Sequence, residues 1–180
     1  MQTDFRRFGT MVDCSRNAVM NVPAVKKWID VTAAMGYNTL MLYTEETYEV
    51  DGQPYFGYMR GRYSKAELRE LDDYAAEKGM ELIPCIQTLA HLNAIFRWPQ
   101  YAAFRDCDDI LLAGDDRTYQ LIEDIFATLE RTVRSRTVNI GMDEAHMVGR
   151  GKYQDLHGWE DRSELLVKHL TRVAEIAASH

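Results

Sequence analysis

The chain has 180 residues, 46% of them hydrophobic and 27% charged, with a formal net charge of -7. That is the size of one domain with enough apolar material to bury a core. The acidic balance argues against a nucleic-acid or anionic-membrane partner, because phosphate binding needs a basic face, and it leaves neutral polar ligands open.

Strand-like runs alternate four times with helix-like stretches. The first strand is predicted at Thr10–Asp13, and a helix follows from about Pro23 to Met35, where Pro23 suits a first helical position and Gly36 a C-terminal stop. The second strand is Thr39–Tyr43. A long loop, Thr44 to Tyr63, carries Tyr48, Tyr55, Phe56, Tyr58 and Tyr63 together with Arg60 and Arg62. The second helix opens at Ser64 with a capping-box pattern completed by Glu67, and Gly79 closes it after Lys78. The third strand is Glu81–Ile86, and the loop beyond it holds His91 and Trp98. A third helix is predicted from about Arg117 to Val133, a fourth strand at Thr137–Ile140, and a last helix from about Ser163 to Ala178.

Alternation of this kind predicts an α/β fold with a parallel sheet. The loops at the C-terminal strand ends are long and those at the N-terminal ends short, the asymmetry of β/α barrels, in which the βα loops carry function. A closed barrel needs eight units and about 250 residues. Four units are visible, so residues 1–180 read as a single (β/α)4 unit, half of a TIM-like (β/α)8 barrel, with a small open sheet as the other possibility.

Cys14, Cys85 and Cys107 give neither a disulfide framework nor a zinc pattern, and Cys14 and Cys85 read as small buried thiols beside apolar strands. The polar, charged first ten residues show no signal peptide, and no apolar run approaches transmembrane length, so a cytoplasmic location is the expectation.

The candidate chemistry sits at the strand ends. The run Thr137–Ile140 breaks at Gly141 and presents Asp143, Glu144 and His146 in the segment G-M-D-E-A-H. Two adjacent carboxylates raise one pKa, which keeps one acid protonated near neutral pH and able to protonate a leaving oxygen. A solvated acidic loop is the plainer reading. A metal held by Asp143, Glu144 and His146 is a further one, although no second cluster at ligand spacing supports it. Glu45 and Glu46 end the second strand. Asp13 and Arg16 follow the first, either as a capped turn with an ion pair or as an arginine fork on hydroxyls. His91 lies on the same rim. The aromatic loop suits stacking on sugar faces but equally a self-packed loop core. No G-x-S-x-G, P-loop or G-x-G-x-x-G motif is present.

Four segments, G-T-M-V-D-C-S-R-N, Y-N-T-L-M-L-Y-T-E-E, I-P-C-I-Q-T-L-A-H and V-N-I-G-M-D-E-A-H, together resemble glycoside hydrolase family 20, the β-N-acetylhexosaminidases, over the first half of that family's barrel. The segments Y-F-G-Y-M-R-G-R-Y and I-Q-T-L-A-H-L are similar to its bacterial exo-acting β-N-acetylglucosaminidases. The resemblance implies a retaining mechanism in which the sugar's own 2-acetamido oxygen is the nucleophile. It implies Glu144 as general acid/base and Asp143 as the group that orients the acetamido N–H. It places His91 in a supporting or sugar-contacting position, and Glu45 and Glu46 where many members carry Asp-Asp. The family's first-strand arginine directly precedes the glycine; Phe8 holds that place here, and Arg7, one residue earlier, is the candidate. Arg7, Asp13, Arg16, Glu45, His91 and His146 are thus the expected substrate-binding set, with no cofactor and no metal. A β-linked N-acetylhexosamine glycan is the expected partner. Tryptophans, a tyrosine and acids of the family's later strands have no counterpart in these residues, so these 180 residues alone are expected to be inactive. Unpaired half-barrel edges imply a homo-oligomer. A metal-dependent barrel hydrolase and a non-catalytic carbohydrate-binding or assembly module are the alternatives.

Overall fold

The computed structural model describes residues 5–16 and 18–180. Its elements run β1 (Gly9–Asp13), α1 (Val22–Ala34), β2 (Thr39–Glu45), α2 (Lys65–Glu77), β3 (Glu81–Ile86), a 3₁₀ turn (Ile95–Arg97), α3 (Pro99–Ala102), α4 (Asp116–Glu130), α5 (Lys152–His157) and α6 (Arg162–Ser179). The predicted helices and the first three strands are present within a few residues. The 3₁₀ turn and the short α3 and α5 lie in stretches whose apolar pattern is too brief to show a period.

The strands form a parallel sheet in the order β1-β2-β3. Central β2 is buried at nearly every position, as expected for a parallel strand covered on both faces, whereas β1 at the edge alternates between exposed and half-buried. Leu40 and Leu42 of β2 and Leu82 and Ile86 of β3 share one core with Ile29 of α1, Leu71 of α2, Ile122 and Ile125 of α4 and Val173 of α6. Cys14 and Cys85 are buried free thiols. No helix of the described residues is long and apolar enough to cross a membrane.

Local chemistry fixes the helix ends. Asn21 accepts from the Ala24 amide, and Pro lies in the first turn of α1. Ser64 and Glu67 form the predicted capping box of α2. Asp115 and Asp161 cap α4 and α6.

The predicted fourth strand is corrected. Thr137–Ile140 joins the sheet through one parallel bridge, Cys85 to Asn139, made by Asn139 N–H to Pro84 O and Ile86 N–H to Asn139 O, both 2.9 Å. The ladder cannot extend toward Thr137 because Pro84 has no N–H to offer, and the Thr137 carbonyl instead accepts the Ser135 hydroxyl at 2.9 Å. On the other side Gly141, at φ 72°, turns the chain out of the sheet.

Candidate active site

Each strand end delivers a polar group through a distorted backbone. The β2–β3 register shifts between Tyr43 and Glu45, and Glu45 takes φ 46°. A bulge of this kind re-aims a side chain. His91 after β3 sits at φ 59° and Glu144 after the fourth segment at φ 56°. Left-handed non-glycine residues cost about 1–3 kcal/mol each and persist where surrounding contacts enforce them. Those contacts are visible: the His91 amide donates to Asp109 Oδ2 at 3.0 Å, and the His146 amide closes on Glu144 O at 2.6 Å.

Asp143 and Glu144 are the most solvated members, with side chains 60% and 66% exposed. His91 stands between them, its buried Nε2 3.4 Å from Asp143 Oδ2 and 3.6 Å from Glu144 Oε2. Gln87, fully buried, donates from Nε2 to Asp143 Oδ1 at 2.8 Å and to the Tyr43 hydroxyl at 3.1 Å, and its Oε1 accepts the Met142 amide at 3.1 Å. Tyr43 donates to Glu45 Oε1 at 3.0 Å, and Ser15 donates to Glu45 Oε2 at 2.5 Å.

These contacts set the charges. The Gln87 hydrogen bond, opposed by partial burial and aided by His91, holds the Asp143 carboxyl below the usual carboxylate range. Proximity to Glu144 therefore does not leave Asp143 protonated, and at neutral pH it is an anion. Burial and the Asp143 charge push the Cys85 thiol up to about 11, so it stays protonated.

Arg16, Glu45, Arg60, His91, Asn93, Ala94, Arg97 and Asp109 line a polar cleft of about 420 Å³ beside the acidic pair. Arg60 reaches it through a 2.6 Å bond to Glu46, which is almost wholly buried, and another of 2.6 Å to Ser15 O. Burial raises the Glu46 carboxyl despite Arg60.

Of the residues expected from sequence, Asp143, Glu144, His91 and Glu45 are brought together, and Arg16 joins them at the cleft wall. Asp13 does not point a free carboxylate at the cleft: it accepts the amides of Ser15 and Arg16 and pairs with the Arg16 guanidinium at 3.0 Å. Burial opposes these bonds, but they hold its carboxyl below the ordinary range. Arg7 lies at the opposite end of the sheet, bonded to Glu81 at 3.2 Å and Thr137 at 2.8 Å where β3 and the fourth segment begin. Phe8 is likewise engaged away from the strand ends, stacked on Tyr37 at 4.3 Å. His146 is exposed, and its carbonyl accepts from Arg162. Among the described residues no three His, Cys, Asp or Glu side chains converge as a metal would need, so Asp143, Glu144 and His146 do not form a ligand set. Gln87, Tyr43, Ser15 and Asp109 complete the site, and the sequence pattern assigns none of them a functional role. Gln87 carried one signal, a polar residue closing an apolar strand run.

Residues 5–175 match the model of glycosyl hydrolase family 20, catalytic domain. The chain belongs to this family. The family-20 β-N-acetylhexosaminidase of Streptomyces coelicolor A3(2) is 25% identical and superimposes with a TM-score of 0.79 over 98% of this chain and 38% of its own. A mutant Streptomyces plicatus β-hexosaminidase in complex with its product GlcNAc is 26% identical, with the same TM-score and coverage. Human hexosaminidase D is 21% identical over 66% of this chain and 25% of its own length, and the Bos taurus protein 20% identical over 78% and 43%. The chain thus spans less than half the length of each of these proteins.

Proposed function

We propose that Asp143 and Glu144 are the reacting pair of an exo-acting β-N-acetylhexosaminidase that releases terminal N-acetylglucosamine or N-acetylgalactosamine from a β-linked glycan with retention. The observation that carries this reading is the unequal environment of two adjacent acids: Gln87 and His91 fix Asp143 as an anion, while Glu144 projects into solvent from a left-handed backbone at the cleft rim. Family membership supports it, as does the likeness to a hexosaminidase with GlcNAc bound.

The chemistry follows from that division. Glu144 delivers its proton to the glycosidic oxygen as the bond from that oxygen to C1 breaks. The substrate's acetamido oxygen attacks C1 from the opposite face and forms an oxazolinium ring. Asp143 accepts the acetamido N–H and offsets the positive charge that develops there. Water then attacks C1, gives its proton to Glu144 and opens the ring, so two inversions restore the β configuration. The enzyme needs no carboxylate nucleophile, which is why neighbouring acids suffice. The exposure of both acids weakens every such interaction, because solvent screens them. The 180 residues alone are therefore expected to show activity at or near zero.

Hydrolysis of an aryl N-acetyl-β-glucosaminide by the full gene product tests the assignment. Glu144→Gln is expected to lower kcat by about 10²–10⁴-fold, the usual worth of a positioned acid/base. Asp143→Asn is expected to lower it by about 10²–10³-fold. Full activity in the Glu144→Gln protein would refute the acid/base role.

A further inference from the structure

We infer that Gln87 is a positioning residue that locks the Asp143 carboxylate as a hydrogen-bond acceptor and ties it, through Tyr43, to Glu45 and Ser15, so that three strand ends and the fourth segment act as one unit. This deepens the proposed function and rests on its assignment of Asp143 as the group facing the acetamido N–H.

The argument starts from what each partner can do. Met142 N–H can only donate, so the Gln87 atom facing it at 3.1 Å is the amide oxygen. The amide nitrogen then faces Asp143 Oδ1 at 2.8 Å and the Tyr43 hydroxyl at 3.1 Å, and both of its hydrogens are used. Tyr43 accepts from Gln87 and spends its own proton on Glu45 Oε1, while Ser15 donates to Glu45 Oε2. The chain from Ser15 to Asp143 thus ends on a carboxylate at each side, Glu45 receiving Ser15 and Tyr43, and Asp143 receiving Gln87, with the Gln87–Tyr43 bond joining them.

The amide is confined. Gln87 is fully buried, and Tyr43 and Glu45 are nearly so. Gly141 packs against it so closely that a Cβ there would overlap the amide oxygen, its carbon and Ile86 O. A primary amide cannot exchange a proton with a carboxylate, whereas an acid at this position could. Asp143 Oδ1 is therefore permanently occupied by a donor, and Oδ2, 3.4 Å from His91 Nε2, is the oxygen left to meet a ligand N–H. The lowered acidity range of Asp143 agrees with this, Gln87 being its largest cause.

Carboxyl-detected NMR titration of Asp143 in the 180-residue chain tests the inference without substrate. The groups facing this carboxylate are Gln87, His91, the neighbouring Glu144 and the Cys85 thiol. Gln87→Met fills the same space with no donor and should raise the Asp143 midpoint. Gln87→Glu keeps an acceptor for Met142 N–H but sets a second carboxyl against Asp143, and the two should titrate in separate steps. An unchanged Asp143 midpoint in a folded Gln87→Met protein would overturn the inference. If Gln87→Met does not fold, Tyr43→Phe replaces it. That variant leaves the Gln87–Asp143 bond but frees the second Gln87 amide hydrogen, and unchanged Gln87 side-chain amide proton shifts there would overturn the coupling. Failure of the glycosidase reading would appear as absent hydrolysis and would leave these titrations as they are.

Discussion

Gly141 stands where the fourth segment must both leave the sheet and admit the Gln87 amide. Its φ of 72° and the absence of a Cβ satisfy the two demands at once. Gly141→Ala is expected to destabilise the chain by about 1–3 kcal/mol from backbone strain, and by more if Gln87 is displaced from Met142 N–H. Urea unfolding measures this, and a loss below about 0.5 kcal/mol, the range of an ordinary surface substitution, would contradict it. The acidic pair was legible because it is contiguous and follows a β-branched run. Gln87 and Asp109 were not, because their roles exist only once side chains meet across strand ends: Gln87 acts on Asp143, 56 residues away, and Asp109 on the His91 backbone, 18 residues away. Arg7 was nominated by the resemblance alone, one residue from the place of the family's arginine, and its partners Glu81 and Thr137 lie where β3 and the fourth segment begin.

At the scale of elements, α6 is held to the loop after β3 and to α4 by His169, which is fully buried. Its Nε2 lies 2.9 Å from Thr88 O, an acceptor only, so Nε2 carries the proton, and Nδ1 receives the Tyr119 hydroxyl at 3.3 Å. Protonating Nδ1 would remove that acceptor and leave a buried cation. Burial accordingly pushes the His169 pKa down, with the Thr88 bond opposing. The sign follows: the folded state binds its proton later than the unfolded state, so this contribution is intact above the unfolded pKa of about 6.5 and is lost as pH falls toward the folded value. His180 differs. Burial lowers its pKa, but Glu130 and Glu123, at 3.1 and 2.8 Å, raise it on balance, so its contribution is present in acid and lost as pH rises through its folded value. The chain should therefore lose thermal stability between pH 7 and pH 5 through His169. His169→Gln keeps a donor and an acceptor without the titration, and should flatten that slope. Parallel slopes for the two proteins in calorimetry would rule the mechanism out. The four long helices were legible in sequence, α1 and α2 from starts and stops such as Pro23, Ser64 and Gly79, whereas the short α3 and α5 were not. The fourth strand was over-read, because its β-branched residues register propensity whereas its pairing is decided by Pro84 in a different segment.

At the scale of the molecule, several large apolar side chains are exposed. Met11 of β1, Trp28 and Val31 of α1 and its C-cap Met35 are exposed, as are Leu156 of α5, Trp159, and Val167 and Leu170 of α6. Isolated exposed apolar residues are ordinary, but Trp28, Val31 and Met35 recur at helical spacing beside an edge strand whose outer backbone groups lack a strand partner among the described residues. Such an edge invites pairing. We propose a second copy as the partner: a two-fold axis along the strands would set β1 of one chain parallel to Thr137–Ile140 of the other, so that two half-barrels would close around a common interior. The one-bridge attachment of Thr137–Ile140 leaves its outer side open to this, and a stable pair would need to bury about 1,200–2,000 Å². Sedimentation velocity over a range of concentrations is expected to show self-association. Trp28→Glu and Val31→Glu, which charge the α1 flank without touching the strand ends, are expected to shift the equilibrium toward monomer. A single monomeric species at the highest soluble concentration would rule out the paired half-barrels. The fold would then have to tolerate its open flanks through the short length of β1 and the single bridge beyond β3, the devices by which exposed sheet edges are kept from pairing.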